Sequence, residues 1–190
     1  MIIGNDFVWL HLGKTGGKTS RKAISLVKDQ SLKKVFKYPD HHFSIKRYEE
    51  VYGEDLSGKK VLIGFRKLIQ WMPSYYMQSF NNLDGYKDVA ISGKVAKRNG
   101  TLIYPDEILK NYISELDIDS IHFIRCEYMY DDFLSFFKDS LNHKELKKIC
   151  SVKIGNKNYN TPLLKKDEIE KIYNLNPVWQ KIEKKIYGIN

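Results

Sequence analysis

Cysteine is almost missing from this 190-residue chain, with only Cys126 and Cys150 present. They stand far apart and form no C-x-x-C pair, which excludes a disulfide framework and leaves both to be read as buried thiols. Proline is scarce as well, and no apolar run reaches the length that crosses a bilayer. No basic segment leads into an apolar stretch after Met1, so the expectation is a soluble, cytoplasmic chain with no membrane partner. Acid is in deficit. Thirty-two Lys and Arg face 23 Asp and Glu, a formal net charge of +9, which favours an anionic partner without choosing among nucleic acid, membrane surface, nucleotide, or a sulfated or phosphorylated product. The basic residues are spread along the chain in short clusters such as Lys33 and Lys34 or Lys184 and Lys185. A nucleic-acid arm would concentrate them, so nucleic acid is not the expected partner, and a solvated basic surface explains the charge equally well.

What is present is a foldable chain of one-domain length, residues 1–190, with an aromatic share of 13%. Phe7 to Leu12 is a short apolar run. A Gly/Lys/Thr loop follows, then Ser20 to Asp29, where Ala23, Ile24, Leu26 and Val27 make a helical stripe. The pattern predicts a second strand at Val35 to Tyr38, a helix at Ser44 to Tyr52 closed by Gly53, and a fully buried strand at Val61 to Phe65. A mostly helical segment then runs from Leu68 to Phe80, with Pro73 either in its first turn or at a kink. From Asn81 to Thr101 the chain is polar and carries Gly85, Gly93 and Gly100; it reads as a long excursion or lid. Beyond it come a helix from Pro105 to Leu116, a strand at Ile121 to Ile124, a helix at Asp132 to Leu141, a loop at Asn156 to Pro162, and two helices starting near Lys166 and Pro177. Strands alternating with helices imply an α/β fold, with a central parallel sheet flanked by helices in three layers.

The informative stretch is Gly13-Lys14-Thr15-Gly16-Gly17-Lys18-Thr19-Ser20, between the first strand and its helix. Glycines there let backbone N–H groups approach an anion at a helix N-terminus, the physics of a phosphate cradle. A flexible polar turn is the plain alternative. The P-loop of the NTPases needs a glycine where this chain has Leu12, so the Walker pattern misses by one residue.

Read from His11 to Thr19, the stretch resembles the H-x-P-K-T-G-G-T-S loop of PAPS-dependent sulfotransferases of the carbohydrate-modifying and bacterial type, with Gly13 in place of proline and Lys18 in place of a hydroxyl. The resemblance implies a P-loop-like fold and the nucleotide donor PAPS (3′-phosphoadenosine 5′-phosphosulfate), with adenosine 3′,5′-bisphosphate as product. Carried over, Lys14 is catalytic, near the bridging oxygen, Thr15 and Thr19 offer hydroxyls to the phosphate, and Gly16, Gly17, Lys18 and Ser20 complete the donor site. Arg66 at the end of the buried strand, then Ser74 before Tyr75 and Tyr76, resemble the family's element for the 3′-phosphate, and an arginine fork with a hydroxyl suits a dianion on physical grounds too. Lys67 and Leu68 replace that element's Asn-Pro pair. The stretch from Ile121 to Glu127 looks like the family's R-x-E strand, so Arg125 and Glu127 are expected to serve the fold. Gly155 to Tyr159 resembles the loop that closes over the adenosine, with Lys157 supplying charge, and Tyr187-Gly188 matches the ending of the last helix.

Group transfer of this kind needs a base for the acceptor's proton. His42 is the first choice and His41 the second, since an imidazole titrates near neutrality and only one of two neighbours can face the site. His11 is expected to orient the loop. No metal is implied. The acceptor is a small molecule or carbohydrate bearing a hydroxyl or amine, and the oligomeric state is open. Two other readings stand beside this one: a P-loop nucleotide or small-molecule kinase, and a non-catalytic nucleotide- or nucleic-acid-binding module.

Overall fold

The computed structural model describes residues 1–27, 34–35, 42–138, 142–151 and 163–188. The described chain is mixed α/β and falls into two compact units. Residues Met1–Phe65 with Tyr112–Asn156 make the first, and Arg66–Asn111 with Lys157–Asn190 the second.

The first unit is built on a five-stranded sheet. Its strands are β1 (Ile2–Ile3), β2 (Phe7–Leu10), β3 (Lys34–Val35), β4 (Lys60–Phe65) and β7 (Ile121–Arg125), in the order β3-β1-β2-β4-β7. β2, β4 and β7 run parallel, with Trp9 opposite Leu62 and Leu62 opposite His122. β1 and β3 pair antiparallel at the β2 edge. The expectation of a parallel sheet therefore holds for β2, β4 and β7 only. The strand expected from Val35 lies on the antiparallel edge, and residues 36–40 are outside the described set. β2 is buried at all four positions, as an apolar run in the middle of a sheet must be.

One face of the sheet is covered by α1 (Gly17–Ile24), α6 (Met129–Phe137) and α7 (His143–Ser151). Phe7, Trp9, Leu62 and Ile124 from the strands close around Ala23, Ile24, Met129, Phe133, Phe137 and Leu146 from these helices. Each buried Leu, Ile, Phe or Met among them contributes roughly 1.5–3 kcal/mol of transfer free energy. α2 (Ile45–Tyr52) is capped by Ser44, whose hydroxyl accepts from the Arg47 N–H, and ends at Gly53 in the left-handed region, the closing glycine its sequence announced. Arg125, expected to serve the fold, forms a fork with Asp132, Nη2 to Oδ1 at 2.6 Å, and Glu127 is exposed.

The second unit contains α3 (Leu68–Phe80), α4 (Tyr86–Ile91), the hairpin β5 (Val95–Ala96) and β6 (Leu102–Ile103), most of α5 (Pro105–Ile113), α8 (Lys166–Asn174) and α9 (Pro177–Tyr187). The stretch from Asn81 to Thr101, read as a lid or excursion, carries α4 and the first strand of the hairpin. Tyr86, Ala90, Val95 and Ala96 are buried there. Remote carboxylates satisfy two helix starts of this unit. Asp106 accepts from the N–H groups of Val178 and Trp179, both at 2.8 Å, where α9 opens. Glu183 of α9 accepts from the Leu68 N–H at 2.8 Å, where α3 opens. First-turn N–H groups have no partner within their own helix, and here acids distant in sequence supply it. Pro73 lies beyond the first turn of α3 and removes one bond of its ladder. Among the described residues, no helix is long and apolar enough to cross a membrane.

Candidate active site

The loop after β2 has the backbone of an anion cradle. Gly16 is the N-cap of α1 at φ 78°, no side chain caps that helix, and its first turn carries no acid. Lys14 also sits in the left-handed region, at φ 66°. A lysine gains nothing there sterically, and strain of this kind gathers where a ligand needs the backbone in one shape. The positive end of α1, with Lys14 before it and Lys18 in its first turn, favours an anion.

Two close approaches set the shape of the loop. Thr15 is buried, and its hydroxyl donates to the Leu12 carbonyl at 2.6 Å. It packs so tightly on β4 that a Cβ at Gly64 would lie 2.7 Å from its Oγ1. On the other side the His11 ring lies over the first residue of α1, where a Cβ at Gly17 would be 1.9 Å from Nε2. Thr15, expected to offer its hydroxyl to the phosphate, and Ser20, expected to complete the donor site, use their hydroxyls elsewhere: Thr15 inside the loop, and Ser20 against Met129 Sδ at 3.9 Å in the core. Thr19 is half-buried and Lys18 exposed.

His42 belongs to this cradle. Its ring stacks on that of His11 with centroids 4.7 Å apart, and His11 stacks in turn on Trp9 at 5.2 Å. His42 Nδ1 lies 2.9 Å from the His11 carbonyl oxygen. A carbonyl only accepts, so Nδ1 carries the hydrogen and the lone pair of the neutral ring is on Nε2. Tyr112 Oη is 3.4 Å from the same Nδ1. Burial holds the His42 pKa below the usual 6.5; the bond to His11 opposes that, and the charges at Met1 and Arg21 add to it. The ring is a neutral base near pH 7. His41, the second choice, lies outside the described residues, as does Lys157.

Comparison with protein-family models, with curated proteins and with solved structures finds no match. The site is read from its own geometry.

Arg66 and Ser74 lie in the second unit. The Arg66 carbonyl accepts from Trp179 Nε1 at 3.1 Å, and Trp179 packs on Trp71, which fixes the backbone at that point. The Arg66 Nε is buried and has no hydrogen-bond partner among the described residues. An orphaned guanidinium N–H is a donor that suits a phosphate oxygen. Ser74 is buried in α3. Among the described residues, no group of three or more His, Cys, Asp or Glu side chains is placed to hold a metal ion.

Sequence reasoning passed over three residues. Gly64, a glycine inside an otherwise apolar strand, was itself a signal of close backbone approach. Tyr112 carried no signal, because its place beside His42 depends on tertiary structure. Arg21 follows the loop directly, but nothing in the pattern of α1 separates it from a solvated charge.

Proposed function

We propose that the chain is a sulfotransferase that moves a sulfuryl group from PAPS to a hydroxyl or amine of a small-molecule or carbohydrate acceptor. The observation that carries this reading is the 2.9 Å contact of His42 Nδ1 with the His11 carbonyl. It ties a neutral base to the residue that opens the anion loop, so base and cradle share one anchor. The parallel strands β2, β4 and β7, with a glycine loop after β2, are the ground for reading the fold as P-loop-like.

In the transfer, the acceptor oxygen or nitrogen forms a bond to sulfur as the bond from sulfur to the phosphate oxygen breaks. The electron pair leaves on that oxygen, and the acceptor's proton passes to His42 Nε2. Lys14 and the first amides of α1 meet the charge that develops on the leaving phosphate. Arg66 and Ser74 are assigned the 3′-phosphate.

Calorimetric titration with adenosine 3′,5′-bisphosphate tests the reading. Binding without magnesium is expected, and Lys14→Ala should weaken it by about 1.5–3 kcal/mol, roughly tenfold or more in Kd, the range of one charge-assisted bond. Binding of ATP with magnesium but not of the bisphosphate would give the site to a kinase. DNA binding with a steep salt dependence and no bisphosphate affinity would give the chain to nucleic-acid recognition.

A further inference from the structure

We propose that Tyr112 is the positioning residue of His42: its phenol oxygen is the second acceptor for the Nδ1 hydrogen, keeps Nε2 as the basic nitrogen, and stabilises the ring once it is protonated. Calling His42 a base for the acceptor rests on the sulfotransferase reading; the contact with Tyr112 does not.

Two stretches of the first unit meet at this point. His42 precedes Ser44, the cap of α2, and Tyr112 lies in the last turn of α5, half-buried and next to the buried Ile113. The ion pair of Lys46 Nζ with Glu115 Oε1 at 2.9 Å joins the same two stretches a little further along the chain. The approach of the phenol to the imidazole therefore does not hang on a single contact.

His42 Nδ1 lies 2.9 Å from the His11 carbonyl oxygen and 3.4 Å from Tyr112 Oη. The carbonyl brings no hydrogen, so the one between them belongs to the ring, and Nδ1 keeps no lone pair to receive a hydrogen from the phenol. Tyr112 Oη then accepts, and the Nδ1–H is shared between two oxygens. The other tautomer would set a lone pair on Nδ1 against the carbonyl oxygen and put the hydrogen on Nε2, where the base is needed. The His11 ring covers one face of the imidazole, with centroids 4.7 Å apart, and Gly13 lies beside Cε1, where a Cβ would come to 3.8 Å.

A contact of 3.4 Å is long for a neutral donor. When Nε2 takes a proton the ring becomes a cation, both oxygens become charge-assisted partners, and such bonds draw in to about 2.7–2.9 Å. The phenol gains more from the protonated ring than from the neutral one, which raises the basicity of Nε2 against the burial that lowers it. The charges of Arg21 and the Met1 amine also lower it, and a change at Tyr112 removes neither.

The test is Tyr112→Phe, which keeps the aromatic cover and removes only the oxygen. Nitrogen NMR of the imidazole side chains reads the tautomer and the pKa of His42 in the variant and the wild type. The wild type is expected to hold the Nδ1–H tautomer, and an Nε2–H ring overturns the proposal without any variant. In Tyr112→Phe the His42 pKa should fall by about 0.4–1.1 pH units, the worth of one modest hydrogen bond. An unchanged pKa leaves Tyr112 with packing alone and overturns the proposal; a rise shows that the phenol donates to Nδ1 and overturns it too. Both proteins are also titrated with adenosine 3′,5′-bisphosphate. Their affinities should agree within about twofold, since one charge-assisted bond to the donor would be worth roughly tenfold or more; a loss of that size gives Tyr112 to the donor and overturns its assignment to His42. If the bisphosphate binds neither protein, the sulfotransferase reading fails, while the tautomer and pKa of His42 still decide the role of Tyr112.

Discussion

Gly17→Ala sets two effects of opposite sign against each other. Gly17 is not among the glycines at positive φ, so helix propensity by itself favours alanine by about 1 kcal/mol. Packing opposes this. The new Cβ would lie 1.9 Å from His11 Nε2, 2.5 Å from Cδ2 and 2.8 Å from Cε1, where ordinary contact begins near ~3.5 Å. The ring must move by roughly 1.5 Å to restore that contact. It cannot swing away at no cost, because it stacks on both Trp9 and His42. Overpacking of this kind costs about 1–3 kcal/mol, so the net change should be a loss of up to about 2 kcal/mol. Urea denaturation measures the stability. A second readout is the NMR titration of His42: if the His11 ring shifts, His42 loses the cover that lowers its pKa, and the pKa rises toward 6.5. A variant more stable by about 1 kcal/mol, with His42 titrating as in the wild type, would refute the placement of the ring over α1.

Gly64→Ala brings a Cβ to 2.9 Å from the Thr15 carbonyl oxygen; backbone yields less readily than a side chain, so the loop itself must shift. A loss of about 1–3 kcal/mol in urea unfolding is expected, and an unchanged midpoint would mean that the loop does not rest on β4. The pH dependence of stability carries a definite sign. Burial is the first cause that holds His42 and His122 below 6.5, so as pH falls through 6.5 the unfolded chain takes up protons before the folded one. The stability they contribute is present above 6.5 and lost on acidification toward their folded values. The urea midpoint should fall from about pH 7.5 to about pH 5.5, with part of that slope removed in His42→Gln; a midpoint that rises on acidification contradicts the buried neutral ring.

The readable parts of the fold were those whose local pattern agreed with their final environment. β4 is apolar because it is buried, and Ser44 and Gly53 mark α2 because capping is local chemistry. β1 is two residues long and shows no period. α4 and the β5–β6 hairpin are short and interleaved with glycines, so tertiary burial of Tyr86 and Val95 decides them. α7 does carry an apolar stripe, Leu146, Ile149 and Cys150, but its five basic and acidic side chains obscure it. In the site, the loop and His42 were legible as residue types in order. The inward turn of the Thr15 and Ser20 hydroxyls was not, because each is fixed by a partner that the motif does not contain.

The Glu183 carboxylate that accepts from the Leu68 N–H also has a meaning for how the chain is made. Leu68 leaves the ribosome 115 residues before Glu183, so the opening of α3 waits for that whole stretch before its partner exists. The Arg66 carbonyl waits likewise for Trp179. Contacts this distant in sequence form late and slow the search for the native state. The segment that holds the proposed 3′-phosphate arginine is thus fixed only after α9 has been made. A chain shortened before α9 would lose that anchorage while keeping the sequence of the loop from His11 to Ser20 intact.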